Sequence, residues 1–248
     1  MKKLIFTIAL ILLPYCVQAD DIVIGAGVGL KDVINELSGD YSLKTPAVAI
    51  TKSYLASGAL AKQMDNGLKV DVVFVANLDW IEYMKNKKHV DASTVGPFAY
   101  NTLVFAGLPR HADNGSVQGM QDLVRLDKIA VGSPKIVPAG DYAMHAIRKA
   151  GIEKALEKKL VMARDVRDCM MYAERGEVDG AFVYRTDAMM AHNAKILFSV
   201  PTDLYPRVVY MMAVTTAGAK KDETMAFYRF LKSTEAKNIL KKHGFEVH

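Results

Sequence analysis

The sequence predicts an α/β fold, and three observations carry that prediction. Strand-like and helix-like patterns alternate along the chain, which argues for parallel sheets covered by helices on both sides. The run Val70–Val75 is nearly continuous in apolar residues, as a strand buried on both faces requires. Glycine- and proline-bearing turns follow several strands, and in such sheets ligands bind beyond the strands' carboxyl ends.

The chain opens Met1-Lys2-Lys3, continues with an apolar run from Leu4 to Leu13, and reaches Val17-Gln18-Ala19 before Asp20. A basic start, a short apolar stretch and small residues at the cut read as a secretory signal peptide over residues 1–19, removed after Ala19. The apolar run is too short to span a bilayer, and no later segment is long and apolar enough. Cys16 suggests lipid attachment, but the Pro14-Tyr15 before it suits such a site badly. Its removal leaves Cys169 as the only thiol, so no intramolecular disulfide is expected. Losing Lys2 and Lys3 leaves 30 basic residues against 27 acidic ones, a net charge of +3. These charges are spread rather than clustered, so neither nucleic acid nor a membrane surface is an obvious partner.

In order, Asp21 to Ile24 reads as a strand, and Gly25-Ala26-Gly27-Val28-Gly29 as its turn. A helix follows with Leu30, Val33, Ile34 and Leu37 at helical spacing. Ala47 to Ile50 is expected as a second strand, before a helix from Ser57 carrying Leu60, Ala61 and Met64. After the Val70–Val75 strand come a helix over Leu78 to Lys85 and a strand over Leu103 to Gly107. Ile129 to Gly132 is a short strand end, and Pro134, Pro138 and Gly140 forbid a regular element just beyond it. The next helix presents Ala143, Ala146, Ile147 and Ala150 on one face and stops at Gly151. Asp165 can cap a helix faced by Val166, Met170 and Ala173. Gly180 to Tyr184, Ile196 to Val200 and Val208 to Val214 read as strands. Thr186 to Ala191 is helical, and Asp222 to Lys232 is the closing helix.

The chemistry lies in the turns. Proline near a first helical position loses nothing, because its missing N–H would be unpaired there. The N–H groups of Ala139 and Gly140 therefore lack an intrahelical partner and suit an anion, with the helix dipole behind them. Taken alone, the same stretch is an ordinary strand-to-helix turn. Gly25-x-Gly27-x-Gly29 is not G-x-G-x-x-G, and no acidic residue closes a second strand about twenty positions on, which excludes a dinucleotide site. Ser57 reads singly as an N-cap, and Tyr184 as a strand-end phenol or a packing tyrosine. No G-x-S-x-G elbow or triad is present, and Cys169 reads as a buried inert thiol. The six histidines lack ligand spacing, and no carboxylate cluster suggests a cation site. Catalytic residues and direct metal ligands are therefore not expected.

Three motifs occur together and in order: Val137-Pro138-Ala139-Gly140, Asp165-Val166-Arg167 and Val183-Tyr184-x-x-Asp187-Ala188. With Leu60-Ala61-Lys62-Gln63, Asp71 to Ala76 with Trp80, and Lys241-Lys242-His243-Gly244-Phe245, they resemble the periplasmic molybdate-binding proteins of ABC importers. The resemblance covers essentially all of the chain after the signal. It implies a periplasmic-binding-protein-like fold of two α/β lobes with a ligand cleft between them. Residues 20–102 plus 209–248 form lobe I and 103–208 lobe II, with the chain crossing near Asn101 to Gly107 and Arg207 to Met212.

The resemblance also implies a site for a tetrahedral dianion held only by neutral donors. Ser57 gives its hydroxyl and N–H, Ala139 and Val166 their N–H groups, and Tyr184 its hydroxyl. The family's first turn usually carries a serine where this chain has Gly29, so only a backbone N–H can serve there. Lys31, two residues on, offers a compensating charge or simply a solvated side chain. The implied function is capture of molybdate or tungstate in the periplasm and delivery to a membrane permease, by a monomer, with no cofactor and no reaction. Sulfate or another small oxyanion is the alternative ligand; an enzyme or a surface interaction protein on the same fold is the alternative class. Because each implied donor is neutral, binding is expected to vary little around neutral pH, with His145 the first suspect otherwise.

Overall fold

The computed structural model describes residues 21–110, 115 and 117–247; the signal segment and Cys16 lie outside them. In chain order the elements begin β1 (Ile22–Gly27), α1 (Lys31–Lys44), β2 (Ile50–Leu55), α2 (Ser57–Asp65), β3 (Val72–Val75), α3 (Leu78–Asn86) and β4 (Gly96–Asn101). The middle of the chain gives β5 (Leu103–Gly107), β6 (Ile129–Gly132), α4 (Pro138–Lys149), α5 (Glu153–Leu156), β7 (Leu160–Ala163), α6 (Val166–Glu174), β8 (Gly180–Tyr184), α7 (Arg185–Met189) and β9 (Lys195–Ser199). The chain closes with β10 (Val208–Val214), α8 (Asp222–Leu231) and α9 (Thr234–Lys242).

These strands form two five-stranded sheets, ordered β2-β1-β3-β10-β4 and β7-β6-β8-β5-β9. The chain passes from the first to the second at Thr102 and returns between β9 and β10. Neither sheet is wholly parallel, which corrects the sequence expectation. β1 pairs in parallel with β2 and β3, and β6 with β7 and β8. The strand that enters each sheet from the other, β10 or β5, runs antiparallel to both its neighbours. Alternation along the sequence detects strands joined through helices. It carries no signal for a strand that arrives from a different sheet.

The departures in element position have local causes. β2 lies at Ile50–Leu55 rather than Ala47 to Ile50; as an edge strand it is half-buried and carries Thr51, Lys52 and Ser53. β4 and β7, also unexpected, are edge strands as well. Pro97 hid β4, yet it sits where the register shifts opposite β10, a place that tolerates a missing N–H. Asp222 to Lys232 is not the last helix, because Ser233 accepts a hydrogen bond from Ala236 N–H at 3.2 Å and starts α9. Gly151 does end α4, with a φ of +73° that a side chain would resist.

Each sheet is buried under its helices. In the first, Phe74 and Phe98 meet edge-on at 4.8 Å, and Tyr41 meets Phe227 at 5.0 Å. In the second, Phe105 packs against Phe182 at 5.1 Å. Burying each such ring fully contributes roughly 1.5–3 kcal/mol, which keeps the strand ends and turns of both sheets in place.

Candidate functional site

A small cavity of about 20 Å³ lies between the two sheets, where turns from both converge. The first half of the chain supplies the 3₁₀ turn Val28–Leu30, the start of α2 and Ala76 just after β3. The second supplies the starts of α4 and α6 and the end of β8. All five positions named from sequence, Gly29, Ser57, Ala139, Val166 and Tyr184, line this cavity. They are drawn from positions 29 to 184 of the chain, so the topology brings them together.

Ser57 is not the N-cap that its sequence context suggests. Ala56 holds that place, and Ser57, the first helical residue, makes no capping bond. Its Oγ instead accepts a hydrogen bond from the Ala76 N–H at 3.0 Å. That bond fixes the oxygen and leaves the hydroxyl proton free to donate into the cavity. Asp165 does cap α6, accepting from the N–H groups of Arg167 and Asp168 at 2.9 and 3.0 Å. The Val166 N–H, one residue earlier, has no acceptor among the described residues.

α4 begins at Pro138, and Ala139 lies at its second position with its N–H unengaged. Gly140 departs from the expectation: its N–H donates to the Val137 carbonyl at 2.9 Å. Its value is steric. A Cβ at Gly140 would lie 1.9 Å from the Gly132 carbonyl oxygen, so the helix start packs directly on the end of β6.

Tyr184 is 2 % exposed, and its hydroxyl has no hydrogen-bond partner among the described residues. Burial holds its phenol well above the ordinary value, so it keeps its proton and can donate. Gly29 has no left-handed backbone, so conformation does not demand glycine there. Space is tight at one point: a Cβ would meet the Tyr210 hydroxyl at 3.2 Å, with Asp187 Oδ2 at 3.5 Å and a Val166 methyl at 3.6 Å in ordinary contact.

Among the described residues lining the cavity none is cationic, and Asp165, the one charged residue, is engaged by its own helix. The starts of α2, α4 and α6 all face it, which places three positive dipole ends and their open N–H groups around one small volume. Such a field favours an anion without a countercharge. Lys31 is exposed and does not line the cavity. His145 is exposed as well and lines a different surface hollow with Arg148 and Lys149. Cys169 is fully buried, and burial pushes its thiol up, as an inert cysteine requires.

Sequence reading missed a charged group behind the cavity. Arg167, half-buried, reaches Asp32 of α1 at 2.5 Å and stands 2.8 Å from the fully buried Asp187. The second contact is close but misaligned, so charge rather than a hydrogen bond holds it. Burial pushes the Asp187 carboxyl up to about 7, against the pull of Arg167. A buried carboxyl raised toward neutrality thus stands behind the site, outside the donors that line it. Its signal was the Asp187 of the third motif, read there only as part of a pattern.

Three contacts join the halves around the cavity: Gly58 N–H to the Ile136 carbonyl at 2.9 Å, Tyr142 hydroxyl to the Ala76 carbonyl at 3.2 Å, and the Arg167–Asp32 pair. Tyr210, from the middle of β10, also lines the cavity and went unnoticed in sequence because it sits in an otherwise apolar strand.

The chain has relatives both in sequence and in solved structure. Residues 22–246 match the family profile of bacterial extracellular solute-binding proteins. The molybdate-binding protein ModA of Escherichia coli is 30 % identical over 230 residues, covering 91 % of this chain and 89 % of that protein. Its namesake from Haemophilus influenzae is 28 % identical over 225 residues, covering 90 % and 88 %. Among solved structures, the periplasmic molybdate-binding protein of Azotobacter vinelandii matches with a TM-score of 0.81 over 92 % of this chain and 99 % of that one, at 22 % identity.

Proposed function

We propose that this chain, which belongs to the bacterial extracellular solute-binding protein family, captures molybdate or tungstate and hands it to a membrane permease. It is a binding protein, not an enzyme. The observation that carries the ligand reading is the cavity itself: three helix starts and the Ser57 and Tyr184 hydroxyls surround it, and no cationic side chain lines it among the described residues. A dianion leaving water must have its oxygens met by donors, since unmet charge is prohibitive to bury. In this reading Gly29, Ser57, Ala139 and Val166 offer N–H groups and Ser57 and Tyr184 offer hydroxyls. Size then selects, because sulfate and phosphate are smaller and cannot reach every donor at once.

The same proposal makes residues 21–102 plus 209–247 one lobe and 103–208 the other, each built on its own sheet, with the anion bridging them. It places the mature chain in the periplasm as a monomer, after cleavage at Ala19. Calorimetric titration of anion-free protein tests the ligand. Molybdate and tungstate should bind, and sulfate and phosphate should bind far more weakly. Heat from sulfate or phosphate alone would move the assignment to a smaller oxyanion, and no heat from any would sink it.

Side-chain variants test the site. Tyr184→Phe keeps the ring and removes one charge-assisted bond, so affinity should fall about tenfold to a hundredfold, for roughly 1.5–3 kcal/mol. Ser57→Ala should cost the same in binding. It also strands the buried Ala76 N–H, so stability should fall by about 1–3 kcal/mol, whereas Tyr184→Phe should leave stability nearly unchanged. Full molybdate affinity in both variants would show that the anion sits elsewhere.

A further inference from the structure

We propose that Tyr210 is a further ligand-binding residue of this cavity, its hydroxyl giving the oxyanion a third side-chain donor in the room that Gly29 leaves open. The inference rests on the oxyanion reading above and adds to it a residue that the turn motifs do not contain. Tyr210 is 1 % exposed, lines the cavity, and its hydroxyl has no hydrogen-bond partner among the described residues. A buried hydroxyl without a partner is costly, and native proteins seldom leave one so unless something else fills the role. The nearby Asn101 offers that proton no acceptor: its Oδ1 accepts from Thr102 N–H at 2.9 Å, and its Nδ2, which donates to Thr186 Oγ1 at 2.9 Å, meets the phenol only as a donor, so the phenol's own proton stays unclaimed.

The position of the hydroxyl says what it serves. It lies 3.2 Å from where a Gly29 side chain would begin, over the turn between β1 and α1 and beside the start of α6. Tyr184 stands edge-on to it, with ring centroids 5.6 Å apart, and its hydroxyl is likewise unpartnered. One phenol comes from the first sheet and one from the second. Burial keeps both phenols protonated, so both are donors facing one small volume. An anion accepting from both would tie the two halves together through its own oxygens.

The competing role is structural: a small rotation could turn the Tyr210 hydroxyl onto Asp187, whose Oδ2 lies 3.5 Å from the same Gly29 point. The two roles separate by readout. Tyr210→Phe should weaken molybdate about tenfold to a hundredfold, the range of one charge-assisted hydrogen bond, while the thermal midpoint of anion-free protein stays the same or rises. Gly29→Ser should weaken binding in the native background by crowding the phenol, and weaken it less in the Tyr210→Phe background, the non-additivity expected of neighbours. If Ser57→Ala weakens molybdate binding but Tyr210→Phe does not, the oxyanion reading stands and this inference falls. A Tyr210→Phe variant that loses thermal stability at unchanged affinity also overturns it, in favour of the bond to Asp187. If the native protein binds no oxyanion, both fall.

Discussion

Gly140→Ala is expected to be the most damaging glycine-to-alanine change among the described residues. The new Cβ would lie 1.9 Å from the Gly132 carbonyl oxygen and 2.7 Å from its carbon, and both contacts are backbone. No rotamer relieves them, so the start of α4 must lift from the end of β6. Overpacking of this kind costs about 3 kcal/mol or more, which in a domain of this size lowers the melting temperature by roughly 6–12 °C. The same movement displaces the Ala139 N–H next door, so affinity for molybdate should fall together with stability. Gly39→Ala is the control. That glycine lies within α1 with nothing near its absent side chain, and the change should stabilise by about 0.5–1 kcal/mol. Differential scanning calorimetry of both variants checks the pair, and an unchanged midpoint for Gly140→Ala would refute the packing argument.

Arg167→Met should cost nearly as much, with a dependence on pH. Removing the guanidinium leaves Asp187 fully buried with no opposing charge, which typically costs about 3–5 kcal/mol. The lost Asp32 contact adds little, because that carboxylate is a third exposed. The sign follows from the buried carboxyl. Burial raises the Asp187 pKa to about 7, so above its ordinary value of 3.8 the folded chain keeps a proton that the unfolded chain releases. Stability from this group is therefore lost as pH rises through that window. Without Arg167 the window extends upward, so the variant should lose more at pH 8 than at pH 5. Denaturation midpoints at the two pH values measure this, and equal losses would argue against it. Arg167→Met with Asp187→Asn should recover much of the loss, since the pair rather than either partner is what burial makes expensive.

The helix starts at Pro138 and Val166 and the strand end at Tyr184 were legible because turn chemistry is local. Proline at a first helical position, aspartate at a cap and glycine after a helix each act within a few residues. Three of the five lining positions, Ala139, Val166 and Tyr184, lie in motifs of three to six residues, and the family resemblance those motifs carry is what names all five. Ser57 shows where this stops: as a helix-start serine its local reading is a cap, yet its oxygen meets Ala76, nineteen residues away and on the far side of a strand. Edge strands β2 and β4 were misplaced or missed because polar residues, or a proline, interrupt the apolar run that marks an interior strand, and β7 because its apolar run is only four residues long.

The sequence by itself determined the alternation of strands and helices, the helix boundaries that carry open N–H groups, and the neutral character of the donors on those turns. Only the tertiary structure decided that β5 and β10 enter their sheets antiparallel, that Gly29 faces a tyrosine hydroxyl, and that Arg167, Asp32 and Asp187 share one cluster. The physical reason is range. Caps and turns are fixed by dihedral and hydrogen-bond preferences acting over a few residues. Strand order and the burial of Asp187 and Tyr210 depend on which distant surfaces exclude water together, and a single residue's type does not encode that.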